Sequence, residues 1–173
     1  YPPGLEFISA FLGCLWVGAV AVPAYPPDPS RLNKSLPRLA RIVQDCNAKL
    51  ALTSPFFNWL IKAFALLPGA EMKALRSMRL QTTPKLKGDG HSLPPVADQA
   101  LAFLQYTSGS TGQPKGVMLT HGQMLANTAA QHEKYPARPG DTSVFWLPVY
   151  HDMGLIGGVL QPLYMGISAV IMS

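Results

Sequence analysis

Apolar residues at Leu5, Ile8, Leu12, Leu15, Trp16 and Ala19 recur at helical spacing, and residues 20–23 form a short apolar run before the breaker-rich PAYPPDP. The pattern predicts a helix, a buried strand and a loop. Ser35 is placed to cap a second helix with Pro37 in its first turn. Leu36, Leu39, Val43 and Cys46 share one face of that helix, and residues 50–53 supply another strand. Ser54-Pro55 opens a third helix running to Leu66, residues 78–81 read as a strand, and residues 82–99 are a polar loop rich in Pro and Gly. Strands are predicted at 100–106, 116–119, 144–147 and 167–172, with helices at 121–135 and 151–165. Strands alternating with helices point to the α/β class, a layered fold with a mostly parallel sheet flanked by helices. Such sheets bind ligands in loops at the carboxyl ends of strands.

Composition supports a folded core. The chain has 173 residues, 48% hydrophobic and only 13% charged, which excludes disorder. Fourteen Lys and Arg against nine acids give a net charge of +5, suited to an anionic ligand or an acidic partner. No aromatic residues interleave with the basic ones and no groove-entering motif is present, so nucleic acid is not an expected partner. Cys14 and Cys46 fall in apolar helical patterns without CxxC spacing, and read as small core residues in a reducing compartment. His91, His121, His132 and His151 form no metal-binding spacing.

Residues 7–25 and 154–172 are uncharged and approach the ~20 apolar residues that span a bilayer. Gly13, Gly18 and Pro23 break the first, and Gly157, Gly158, Gln161, Pro162 and Gly166 interrupt the second. A helix followed by a buried strand accounts for each, so no membrane span is expected. The chain opens on Tyr1 with no basic leader and stops at Ser173 inside an apolar run, and it reads as a piece of a longer protein.

One polar stretch stands out between two of the predicted strands: YTSGSTGQPKGVM, from Tyr106 to Met118. Thr107, Ser108, Ser110 and Thr111 offer hydroxyls, Gly109 and Gly112 permit close backbone approach, and Lys115 adds a positive charge. That inventory suits a polyphosphate held by loop donors. The Walker pattern is not met, because Gly109 is followed five positions later by Pro114 and the lysine by Gly116; GxGxxG is also missing. His151 and Asp152 follow the strand-like VFWLP, where either could cap the next helix or face a ligand. Gly154, Gly157 and Gly158 suit either a thinned helix wall or tight packing.

YTSGSTGQPKGV resembles the phosphate-loop signature of adenylate-forming enzymes, the superfamily of acyl-CoA synthetases, nonribosomal-peptide adenylation domains and luciferases. WLPVYHDMGLIGGVLQPLYMG, from Trp146 to Gly166, and YPPGLEFISAFLGCLWVGAVAVPAYPP, from Tyr1 to Pro27, resemble the fatty acyl-AMP ligase subgroup. The resemblance implies that residues 1–173 are part of the large N-terminal AMP-binding domain. The adenine-binding half and the C-terminal domain would then lie beyond Ser173. It implies ATP and Mg²⁺ as cofactors and attack of a fatty acid carboxylate on ATP, giving an acyl-adenylate and pyrophosphate. It assigns Thr107, Ser108, Gly109, Ser110, Thr111, Gly112 and Lys115 to the phosphates, and Thr107 to the metal. Lys115 and His151 become the catalytic candidates, with His151 near the substrate carboxylate or the mouth of the acyl tunnel. The implied acceptor is an acyl carrier protein or a polyketide or nonribosomal peptide synthase, in the cytoplasm. A fatty acyl-CoA synthetase and a catalytically silent adenylate-binding module are the alternative readings.

Overall fold

The computed structural model describes residues 1–173 apart from 67, 69, 84–94, 109–113 and 173, with backbone alone at 65, 70, 71 and 108. Most of the expected loop at 82–99 therefore lies outside the described residues, as do His91, Gly109, Ser110, Thr111 and Gly112. The chain forms two units, each with its own interior.

The first unit comprises Tyr1–Pro2, Ala24–Ser92 and Tyr106–Gly116. Its helices are α2 (Leu32–Asp45), α3 (Pro55–Ala65) and α4 (Ala70–Ser77). Leu36, Ala40 and Val43 of α2 meet Ile61 of α3, Met72 and Leu75 of α4, and Met78 in one buried cluster. Strands β1 (Leu50–Thr53) and β2 (Arg79–Thr82) pair in parallel, with Leu50 opposite Arg79 and Thr53 opposite Thr82. Parallel neighbours require a crossover of a dozen or more residues, and α3 and α4 provide it. Ser54 caps α3 by accepting from Phe57 N–H at 3.5 Å, with Pro55 in the first turn, as the sequence predicts.

Three expectations fail in this unit. Helix α2 begins at Leu32, and Ser35 lies within it rather than capping it; Pro37 lies inside the helix, not in its opening turn. The reason is an Asp28–Ser30 turn, where Asp28 Oδ1 accepts from Ser30 N–H at 2.9 Å and from its hydroxyl at 2.7 Å. That turn brings the Asp28 N–H to Ser35 Oγ at 3.1 Å, while the Ser35 hydroxyl donates to the Arg31 carbonyl at 3.1 Å, so the helix gains its first residues ahead of the serine. Helix α4 was not anticipated, and Met78, expected to open a strand, is a core residue just before β2.

The second unit comprises Pro3–Pro23, Leu93–Gln105 and Val117–Ser173. Helix α1 (Leu5–Trp16) buries Phe7, Phe11 and Leu15, four residues apart. Phe7 meets Tyr150 edge-on at 4.7 Å between ring centroids, and Phe11 meets Phe103 edge-on at 5.5 Å. The strand expected at 20–23 shrinks to one parallel bridge, Ala21 to Phe103, because the prolines that follow lack the N–H a ladder needs. Strands β3 (Leu101–Ser108) and β4 (Pro114–Thr120) pair with each other and lead into α5 (His121–Lys134). Thr120 and Gln123 form a reciprocal capping box at the start of α5. Strands β5 (Thr142–Phe145) and β6 (Ser168–Ile171) are parallel, with Thr142 opposite Ser168. Their crossover is α6 (Asp152–Leu155), a π-helical turn (Ile156–Leu160) and α7 (Gln161–Met165), closed by Gly166 at φ 67°. Glycine suits this left-handed helix end, having no Cβ to clash.

Helices therefore alternate with largely parallel strands, as the α/β reading requires. Among the described residues no helix is long and apolar enough to cross a membrane.

Candidate functional site

The polar stretch begins where β3 ends and finishes where β4 begins. A five-residue connection is too short for a parallel crossover, so the two strands form an antiparallel hairpin. Side chains alternate across such a pair. Tyr106 is buried and Thr107 exposed on β3; Lys115 is exposed and Gly116 half-buried on β4. The Tyr106 ring lies over Gly116 so closely that a Cβ there would fall 2.9 Å from the ring Cζ. Thr107 and Lys115, the residues flanking that contact on the loop side, are thereby brought to the two stems of the hairpin with their side chains in solvent. Ser108 ends β3, and its side chain and the residues 109–113 are outside the description.

Tyr106 is fastened from behind as well. Its hydroxyl donates to the Asp45 carboxylate at the last residue of α2. Burial first, and then the Asp45 hydrogen bond, push the phenol well above its ordinary range, so it remains a donor. The sequence contains Tyr106 in the signature but offers no hint of Asp45, which lies 61 residues earlier.

His151 precedes α6 at its cap position and is exposed at 54% of its side chain. Its Nδ1 lies 2.5 Å from Asp152 Oδ1, while the Met153 N–H is 2.7 Å from Asp152 Oδ1 and 3.4 Å from His151 Nδ1. One ring nitrogen cannot donate to the carboxylate and accept from Met153 together. The shorter distances decide: the Met153 N–H and the His151 Nδ1–H both donate to Asp152, which leaves Nε2 as the ring nitrogen outside this cap. His151 belongs to the second unit, Thr107 and Lys115 to the first.

The glycines after His151 are packing contacts. A Cβ on Gly154 would lie 2.0 Å from the Pro148 carbonyl oxygen. On Gly157 and Gly158 it would come within 2.9 Å and 3.0 Å of the Phe145 ring. The π-helical turn is where the backbone settles onto Phe145. Two buried glutamines were not singled out from sequence: Gln105, which reaches the Tyr150 carbonyl, and Gln161, whose amide atoms are buried with no hydrogen-bond partner among the described residues. Each sits in an apolar run, which disguises it.

Among the described residues no three His, Cys, Asp or Glu side chains are grouped to hold a metal ion. Cys14 and Cys46 are free and partly buried, and burial raises both thiols above the ordinary range, which argues against a nucleophilic role.

A family model described as AMP-binding enzyme matches residues 1–173. The medium-chain fatty acid [acyl-carrier-protein] ligase JamA of Moorena producens (strain JHB) is 40% identical over 173 residues, covering 100% of this chain and 29% of that protein. The long-chain fatty acid AMP ligase FadD23 of Mycobacterium tuberculosis (strain CDC 1551 / Oshkosh) is 35% identical over 182 residues, covering 99% of this chain and 30% of FadD23. The chain thus spans under a third of the length of these relatives. Among solved structures, a fatty acyl-adenylate ligase from L. pneumophila, in complex with acyl adenylate and pyrophosphate, superposes with a TM-score of 0.83 at 36% identity. That match covers 100% of this chain and 29% of the other. The signature at Tyr106 to Met118, the α/β fold and a family match across all 173 residues agree: this chain belongs to the AMP-binding enzyme family.

Proposed function

We propose that the protein carrying this chain activates a fatty acid with ATP, forming an acyl-adenylate and releasing pyrophosphate. The observation that carries the reading is the hairpin whose two stems present Thr107 and Lys115 to solvent, directly flanking the glycine and hydroxyl run. The likeness to proteins named as fatty acid ligases supports it.

In this reaction a carboxylate oxygen bonds to the α-phosphorus as the bond from that phosphorus to the oxygen bridging the β-phosphate breaks. The electron pair leaves on pyrophosphate. Charge therefore develops on the leaving group, and fixed donors aimed there lower the barrier. In this reading Lys115 supplies the charge, and Thr107, Ser108, Gly109, Ser110, Thr111 and Gly112 supply hydroxyl and backbone donors. A Mg²⁺ ion here would neutralise phosphate charge. The single protein hydroxyl of Thr107 fits such an ion, since Mg²⁺ commonly keeps several waters and is held through substrate phosphates. His151 is proposed to face the carboxylic acid through Nε2, held in orientation by Asp152.

The acceptor we propose is an acyl carrier protein, following the name of the relative at 40% identity. The test uses the full-length protein: fatty-acid-dependent exchange of labelled pyrophosphate into ATP, followed by transfer to carrier protein or to coenzyme A in parallel. Exchange with transfer to the carrier is expected. No exchange with any fatty acid would refute the function, and transfer to coenzyme A alone would replace the acceptor.

A further inference from the structure

We infer that Tyr106 is a positioning residue for the phosphate-binding loop, a bolt that holds the two stems together and ties them to the end of α2. The inference rests on the function proposed above. Its basis is three-way. The Tyr106 side chain is buried, its ring covers Gly116 on the opposite strand, and its hydroxyl donates to Asp45. Thr107 follows Tyr106 directly and Lys115 precedes Gly116 directly, so the ring fixes the spacing of the two residues proposed to meet phosphate. A side chain on residue 116 would push the ring away, which explains a glycine in the middle of β4, where glycine otherwise weakens a strand.

Asp45 is the other half of the device. A carboxylate in the last turn of a helix meets the negative end of the helix dipole and is disfavoured there. A hydroxyl donor compensates it, so the acid is placed to receive Tyr106 rather than to stabilise α2. Anchoring of this kind matters because loop donors act on developing charge only when held in place before the reaction.

The experiment compares the full-length protein with Tyr106→Phe, Asp45→Asn and Gly116→Ala, measuring ATP affinity by calorimetry and, separately, the KM for ATP, the KM for fatty acid and kcat for pyrophosphate release. Tyr106→Phe keeps the ring and loses only the hydroxyl. About tenfold or more weaker ATP binding or slower pyrophosphate release is expected in Tyr106→Phe, from loss of one hydrogen bond to a charged group, with a smaller loss in Asp45→Asn, whose amide oxygen still accepts from the hydroxyl. The KM for fatty acid should not move. The double variant should be no worse than Tyr106→Phe alone, because Asp45→Asn can only weaken a bond that loss of the hydroxyl already removes. Gly116→Ala should reproduce the loss with hydroxyl and carboxylate both present. Thermal unfolding identifies any variant that fails to fold, and the other two then carry the comparison. Unchanged ATP parameters in folded Tyr106→Phe, equal losses toward ATP and fatty acid, or additive effects in the double variant would each overturn the inference. Wild-type protein that binds ATP without exchanging pyrophosphate would defeat the proposed function while leaving the ATP affinities to decide this one; wild-type protein that does not bind ATP defeats both.

Discussion

The side-chain amide of Gln105 donates to the backbone carbonyl of Tyr150 at 3.0 Å, a bond between residues 45 apart in the chain. Gln105 is buried on β3, one residue before Tyr106; Tyr150 is buried one residue before His151. Both residues lie in the second unit, so the part of β3 up to Gln105 is held to the backbone beside His151. Replacing Gln105 with Ala removes the bond and leaves a hole in a packed interior. The expected loss is roughly 1–3 kcal/mol, read as a lower denaturant midpoint of the full-length protein. An unchanged midpoint would show that the bond is dispensable.

Glycines in this chain separate sharply into required and replaceable ones. Gly154→Ala would drive a Cβ into the Pro148 carbonyl at 2.0 Å, a backbone atom that cannot rotate away. A loss of roughly 2–3 kcal/mol or more is expected. Gly13, inside α1, has nothing among the described residues within 4 Å of its Cβ position, and Gly13→Ala should stabilise by about 0.5–1 kcal/mol. Thermal unfolding of the two variants should move the midpoint in opposite directions.

Much of this was legible in the sequence, for reasons that also mark its limits. Ser54-Pro55 announces α3 because cap and first-turn residues act locally. The hairpin stems stand out because two apolar strands bracket a run of glycine and hydroxyls. Ser35 misled because the competing Asp28–Ser30 turn is a matter of three-dimensional closure, not spacing. The π-helical turn after His151 carries Gly157 and Gly158 against Phe145, contacts between a strand and a helix that no helical period encodes. Asp45 stayed hidden for the same reason: its partner Tyr106 is far away in the chain.

The two thiols give a test of burial that is independent of catalysis. Desolvation disfavours the thiolate at Cys14 and at Cys46, so the folded protein holds less of the reactive form than free cysteine does at the same pH. Alkylation at about pH 8, near the ordinary thiol value, should be slower at both sites than for free cysteine. The gap should narrow as pH rises and vanish in guanidinium. Peptide mapping by mass spectrometry distinguishes the two sites; alkylation as fast as free cysteine would contradict the burial argument.

His151 should act on the acid rather than on the nucleotide. His151→Ala in the full-length protein is expected to raise the KM for fatty acid while the affinity for ATP stays level. Asp152→Asn should shift the same parameter less, because in the proposed reading Asp152 acts only through its bond to the ring. Steady-state titration of each substrate at saturation of the other reads the difference, and an effect on ATP alone would assign His151 elsewhere.

The central claim is that the hairpin grips the departing pyrophosphate through Lys115. The most direct measurement is fatty-acid-dependent pyrophosphate release by full-length Lys115→Ala beside wild type. Loss of about a hundredfold or more is expected, equivalent to removing one group aimed at developing charge, about 3 kcal/mol. Release at the wild-type rate would contradict it.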